Sequence, residues 1–183
     1  RKGSHVDLGV VRREISDTLH FDVVRDKIPV NSVDAAYMVT PRIGLIRFNN
    51  FAQTTHAEVV EAIKKLRAQG MVDLIIDLQQ NGGGYLQAAA DIASEFLAKN
   101  DMIVYTRGRS VPNQEFRSSG SGLFTQGKVA VLVDEYSASA AEILSGAIQD
   151  QDRGIVVGRR TFGKGLVQRP IELPDGSMIR LTV

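Results

Sequence analysis

"VDLIIDLQQNGGGYLQAAADIASEFLAK", residues 72–99, sets the fold. The segment 72–78 is a short apolar run of the length and texture of a strand buried on both sides. "QQNGGG" supplies a glycine-rich exit turn, and "YLQAAADIASEFLAK" (85–99) is the helix after it. Strand, turn and helix in this order form half of a parallel crossover unit.

The same rhythm continues on both sides. Upstream, "RIGLIRFNNF" (42–51) reads as a strand and "THAEVVEAIKKLRAQG" (55–70) as a helix. Thr55 is placed to cap it with Glu58 three residues on, and Gly70 ends it. Val59, Ile63 and Leu66 recur at helical spacing on its inner face. Downstream, "MIVYTRG" (102–108) is a strand, and residues 109–127 lack periodicity and read as a long loop. "KVAVLVD" (128–134) is a strand leading into the helix of "SASAAEILSGAIQD" (137–150). "GIVVG" (154–158) is a short strand, and "LVQRPIELPDGSMIRLTV" is two strands joined by the turn "PDG". From residue 42 to 158 the body is therefore α/β with mainly parallel strands. Before it, 5–14 and 19–28 read as a hairpin around "ISDT". A boundary falls near residue 38, giving expected domains of 1–38 and 39–183.

The totals exclude several classes of function. The chain has 183 residues, 43% apolar and 23% charged, with a net charge of +1 and no cysteine. Lys and Arg are scattered, so nothing suggests electrostatic capture of nucleic acid or of an anionic membrane. No apolar run approaches the ~20 residues that span a bilayer. Disulfides, thiolate catalysis and cysteine-based zinc sites are excluded. "RKGSHVDLGVV" lacks the apolar core of a signal peptide. The chain stops at "SMIRLTV", inside a strand, and reads as trimmed at that end.

One constellation carries chemistry. Ser139 precedes Glu142 by three residues, a capping-box spacing at the start of a helix. A serine there lies beside unpaired N–H groups and the positive end of the helix dipole, which favour negative charge on a substrate oxygen. Ser137 competes with it, and spacing alone does not separate the two. A serine hydroxyl needs a base. His5 and His20 lie in the hairpin and His56 opens a surface helix, so a Ser-His-Asp triad is disfavoured. Lys164 stands between Gly163 and Gly165, with Phe162 and Leu166 beyond and no acidic residue within six positions. Desolvation would make its amine a base. If a strand begins near Lys164, Gln168 shares its face and orients the amine. "NGGG" (81–84), at the end of a core strand, offers N–H groups for an oxyanion. A capped helix, a solvated turn lysine and a tight strand-to-helix turn are the plainer readings of the same residues.

Taken together, "GLIRFNNF", "DLIIDLQQNGGG", "SASAAEILSGAIQD" and "GRRTFGKGLVQ" resemble, in order and spacing, the C-terminal processing (tail-specific) serine peptidases. The resemblance implies an α/β core related to the Clp-protease and crotonase folds. It implies Ser139 as nucleophile, Lys164 as general base 25 residues on, and Gln168 as its assistant. The oxyanion donors it implies are the N–H of Ala140 and that of Gly83 or Gly84. Gln79 and Gly82 stand where the family usually has Arg and Pro, and Ala141 where a serine is common.

Residues 1–28 resemble the last two strands of a PDZ domain. The family implies a peptide or unfolded-protein substrate, no metal or organic cofactor, and export to the bacterial periplasm, the cell envelope or a chloroplast lumen. A homo-oligomer or a regulatory partner stays open. The alternatives are a non-catalytic peptide-binding scaffold of the same fold and a crotonase-type acyl-CoA enzyme. The latter would not need the serine–lysine pair.

Overall fold

The computed structural model describes residues 1–26, 31–108 and 112–182, in two compact units, 1–30 and 31–183. Lys27 and Ile28 of the expected second hairpin strand, and residues 109–111 of the expected loop, lie outside the described residues.

The first unit is a two-stranded antiparallel hairpin of β1 (His5–Val10) and β2 (Leu19–Val24). Its ladder ends at Val10 opposite Leu19, so the connection is longer than the four residues of "ISDT". His5 and His20 each bond an aspartate across the strands, Asp22 at 2.7 Å and Asp7 at 3.0 Å. Among the described residues neither histidine has a serine as partner.

The second unit is built on a five-stranded sheet of order β3-β4-β5-β8-β9. Its strands are β3 (Val33–Met38), β4 (Ile43–Phe48), β5 (Asp73–Asp77), β8 (Val129–Val133) and β9 (Ile155–Gly158). β3 runs antiparallel to β4, and the remaining pairs are parallel. Three helices come after strands: α1 (Thr55–Ala68), α2 (Leu86–Ser94) and α3 (Ala140–Asp150). Ile46, Ile63, Leu66, Leu78, Ile92, Val131, Leu144 and Ile148 are fully buried between sheet and helices, as the apolar runs required. The fold is α/β with a mixed, mainly parallel sheet.

Three expectations are corrected. The boundary near residue 38 falls earlier, because 33–38 forms the edge strand β3 of the core sheet. Its anchor is Glu58, whose Oε2 accepts the N–H groups of Ser32 at 2.7 Å and Val33 at 3.0 Å. The N-cap of α1 is Thr54, whose hydroxyl donates to Glu58 at 2.7 Å, while Thr55 is buried and bonds Ser32. The stretch expected as a loop contains β7 (Gln114–Arg117), paired antiparallel with β6 (Met102–Thr106). Arg153 pins the chain between β7 and β8: its three guanidinium nitrogens donate to the carbonyls of Phe96, Phe124 and Gly127 at 2.8–2.9 Å. Burial lowers the pKa of that guanidinium from its ordinary value.

The last elements, β10 (Gln168–Glu172) and β11 (Met178–Thr182), form a hairpin exposed on both faces.

Candidate active site

Parallel strands deliver their exit loops to one edge of a sheet. Here β5, β8 and β9 are neighbours, so the glycine-rich turn, the serine turn and the segment carrying Lys164 all emerge at that edge.

The two serines of "SASA" have different environments. Ser137 is fully buried, its hydroxyl donating to the Leu78 carbonyl at 2.8 Å and accepting the Asp134 N–H at 2.9 Å. Its hydroxyl thus donates across to the end of β5 and accepts within its own turn. Ser139 is half-buried and is the N-cap of α3, with φ 56° and ψ −111°. For a residue with a Cβ this conformation costs about 1–3 kcal/mol and persists only where its surroundings enforce it. The next residue, Ala140, is fully buried and opens the helix, and its N–H makes no hydrogen bond among the described residues.

Asp134 is buried and ties the serine turn to the glycine-rich turn. Its Oδ1 accepts the N–H groups of Tyr136 at 3.0 Å, Ser137 at 3.1 Å and Gln80 at 3.0 Å. Burial acts to raise its pKa, but these hydrogen bonds outweigh it and hold the carboxyl below its usual value. Gln80 has φ 63°, so its backbone is strained too.

Asn81, fully buried, continues the network. Its Nδ2 donates to the Phe48 carbonyl at 2.8 Å, its Oδ1 accepts the Gly83 N–H at 2.9 Å, and its own carbonyl accepts the Ala138 N–H at 3.0 Å. Gly83 has φ 94°, and a Cβ there would stand 2.6 Å from the Ala138 carbonyl and 2.9 Å from the Ser139 Cβ. No side chain fits between the two turns. The Gly83 N–H is thus engaged, whereas the N–H of Gly84 makes no hydrogen bond among the described residues.

The lysine segment is held by Glu142. Its Oε2 accepts the backbone N–H of Ser139 at 2.7 Å and that of Lys164 at 2.9 Å. Its Oε1 accepts the Thr161 hydroxyl at 2.8 Å and the Gly163 N–H at 2.7 Å. One carboxylate oxygen therefore joins the two residues that the sequence singles out. Burial pushes the Glu142 carboxyl up, and the four hydrogen bonds more than reverse this, leaving its pKa lowered. The Phe162 N–H adds a bond to the Ser137 carbonyl at 3.0 Å.

The side chains of the expected dyad are not joined. No hydrogen bond links Lys164 Nζ with Ser139 Oγ or with Gln168 among the described residues. Lys164 is half-buried, and Phe162 and Leu166 beside it are 68% and 61% exposed. The strand begins only at Gln168, so the period-two alignment of 164, 166 and 168 does not form. The N–H groups of Gly163 and Lys164 are instead taken by Glu142.

Asp134, Asn81 and the clamp on residues 161–164 were not legible as site elements in the sequence. The S-x-x-E spacing did predict a bond from Glu142 to Ser139 N–H, and it forms. His56 pairs with Glu95 at 2.8 Å and has no serine partner among the described residues. Among the described residues no cluster of three or more His, Cys, Asp or Glu is arranged to hold a metal, and no helix is long and apolar enough to cross a membrane.

Similarity to known proteins extends over nearly the whole chain. A carboxyl-terminal-processing protease of Picosynechococcus is 38% identical over 185 residues, covering 100% of this chain and 44% of that protein. A chloroplastic C-terminal processing peptidase of Tetradesmus obliquus is 31% identical, covering 92% of this chain and 39% of its own length. The chain thus spans less than half the length of these relatives. Among solved structures, a photosystem II D1 C-terminal processing protease superposes with a TM-score of 0.72 at 28% identity, covering 99% of this chain and 50% of that one. The profile of peptidase family S41 matches residues 42–183, which include all three turns of the site, and the chain belongs to that family.

Proposed function

We propose that this chain carries the catalytic core of a serine endopeptidase of the C-terminal-processing kind, with Ser139 as nucleophile and Lys164 as general base. The observation that carries this reading is the shared Glu142 oxygen, which binds the N–H of both residues at 2.7 and 2.9 Å. The strained backbone of Ser139, set at a helix start, favours it over Ser137. Neutral Lys164 takes the proton of Ser139 Oγ as the oxygen attacks a peptide carbonyl. The oxyanion is held by the N–H of Ala140 and a glycine N–H, from Gly84, which is unengaged, or from Gly83 once Asn81 releases it. Lysinium then protonates the departing amine, and water, deprotonated by the same lysine, hydrolyses the ester. Gln168 assists the lysine once the segment 164–168 realigns.

A peptide laid over Phe162 and Leu166 would cover these exposed side chains and strip water from Lys164, the condition for a lysine base. The substrate class is therefore a peptide or unfolded protein chain. The location is extracytoplasmic, as the chloroplastic names of relatives from algae and plants suggest, and cell fractionation checks it. The hairpin of the first unit is read as the last two strands of a PDZ domain. A structure of a longer chain in which β1 and β2 lie outside any PDZ sheet would refute that.

The test is cleavage of an unfolded protein by the full-length protein. Ser139→Ala and Lys164→Ala should each lower kcat by about three orders of magnitude or more. Undiminished cutting by Ser139→Ala would refute the mechanism. The non-catalytic scaffold has one observation on its side, the absent bond between Lys164 Nζ and Ser139 Oγ, and it requires the wild type to be inert.

A further inference from the structure

The two turns that would supply the oxyanion donors are joined by side chains that touch no substrate in the proposed mechanism. Asp134 does this most directly. Its Oδ1 serves the serine turn through Tyr136 and Ser137, and both its oxygens receive the N–H of Gln80, at 3.0 and 3.1 Å. Gln80 is the residue whose positive φ starts the glycine-rich turn. Ala140 lies three residues beyond Ser137, and Gly83 and Gly84 lie three and four beyond Gln80, so the carboxylate fixes the origin of both arms. Asn81 welds the arms nearer the donors, but it also occupies the Gly83 N–H and so has a second effect. Asp134 has only the one.

We infer that Asp134 is a positioning residue that sets the separation of the two oxyanion donors, acting through the backbone of Gln80 and of residues 136–137. The inference rests on the peptidase reading above. An oxyanion hole works only when its donors are held at the oxygen's final position, and a misplacement of about 1 Å costs roughly a hundredfold in rate. A link that holds both turns should therefore act on the transition state and leave ground-state binding of the peptide alone.

Asp134→Asn weakens the link on the glycine-rich side. It keeps an oxygen at the Oδ1 position for Tyr136, Ser137 and Gln80, and puts an NH2 at the Oδ2 position, against the Gln80 N–H that Oδ2 accepts at 3.1 Å. In the full-length protein we expect kcat to fall about tenfold with KM within twofold, and Asp134→Ala to fall about a hundredfold. Affinity for a peptidyl boronate, which mimics the tetrahedral oxyanion, should drop by the same factor as kcat. Affinity of an uncleaved peptide, measured in a Ser139→Ala background, should not change. Adding Gln80→Gly, which accepts the positive φ without help, should restore part of the lost kcat.

The inference is overturned if folded Asp134→Asn keeps kcat within twofold of wild type, or if kcat and peptide affinity fall together. It is also overturned if the variant fails to fold, because Asp134 would then be a residue of general stability. An inert wild type, or full activity in Ser139→Ala, sinks the peptidase reading instead.

Discussion

The nucleophile side of the candidate site and the base side are built differently. Around Ser139 the glycine-rich and serine turns are joined by buried Asp134, Asn81 and Ser137, each of which bonds both turns or bridges to a core strand. Around Lys164 the chain has no regular structure, and among the described residues its side-chain anchor on the core is Glu142. The segment then runs into a hairpin with both faces in solvent. A hydrogen-bonded interior holds strained backbone such as that of Ser139, whereas a segment held by one carboxylate and the Phe162 N–H bond to the Ser137 carbonyl can shift at lower cost. The proposed nucleophile is thus preset, and the proposed base would be brought into register by whatever covers it.

Breaking that anchor is the severest test of the contrast. Glu142→Ala removes all four bonds at once, and kcat should drop by about two orders of magnitude. The melting temperature should fall modestly, because the outlying segment is released and the half-buried Ser139 N–H loses its partner. An unchanged kcat would show that the base needs no anchor. On the nucleophile side, Ser137→Ala leaves the Asp134 N–H unpaired in a buried site and leaves the Leu78 carbonyl with the Asn81 N–H alone. It should cost about 1–3 kcal/mol of stability, read by denaturant unfolding, since the lost partners are desolvated.

Acid should separate the two sides less sharply. Asp134 and Glu142 both have native pKa values lowered from the ordinary carboxylate value. Their stabilising contribution is complete above the unfolded value of about 4 and is lost as pH falls through the lower native values. Protection of the Gly163 and Lys164 amides from exchange, relative to their intrinsic rates at each pH, should be lost below that point, ahead of protection at Ala138, whose N–H is bonded to a backbone carbonyl. Simultaneous loss of protection would mean the two sides unfold as one. The smallest effect is expected in the last hairpin. Ile179→Thr, at a position 50% exposed, should change stability by no more than about 0.5 kcal/mol. A larger cost would show that the hairpin is part of the core's cooperative unit.

The sequence alone determined the alternation of strands and helices, because apolar runs of strand length separated by capped helices leave few other ways to bury them. It also determined which chemical groups stand at strand ends: the glycines 82–84, the serines 137 and 139, and Lys164. Edge strand β3 escaped it, since "VDAAYM" has no strong periodicity and is fixed by Glu58 from another element. β7 escaped it because its partner β6 lies across a connection without regular pattern. Spacing by itself left open the choice between two serines two residues apart, for which the resemblance implied Ser139, and the surroundings of Lys164 were also beyond it. Those depend on bonds between residues far apart in sequence: Ser137 to Leu78, Asp134 to Gln80, Glu142 to Lys164. Spacing along the chain records which groups are available, whereas backbone strain, burial and shared hydrogen bonds arise only when distant turns meet at one edge of the sheet.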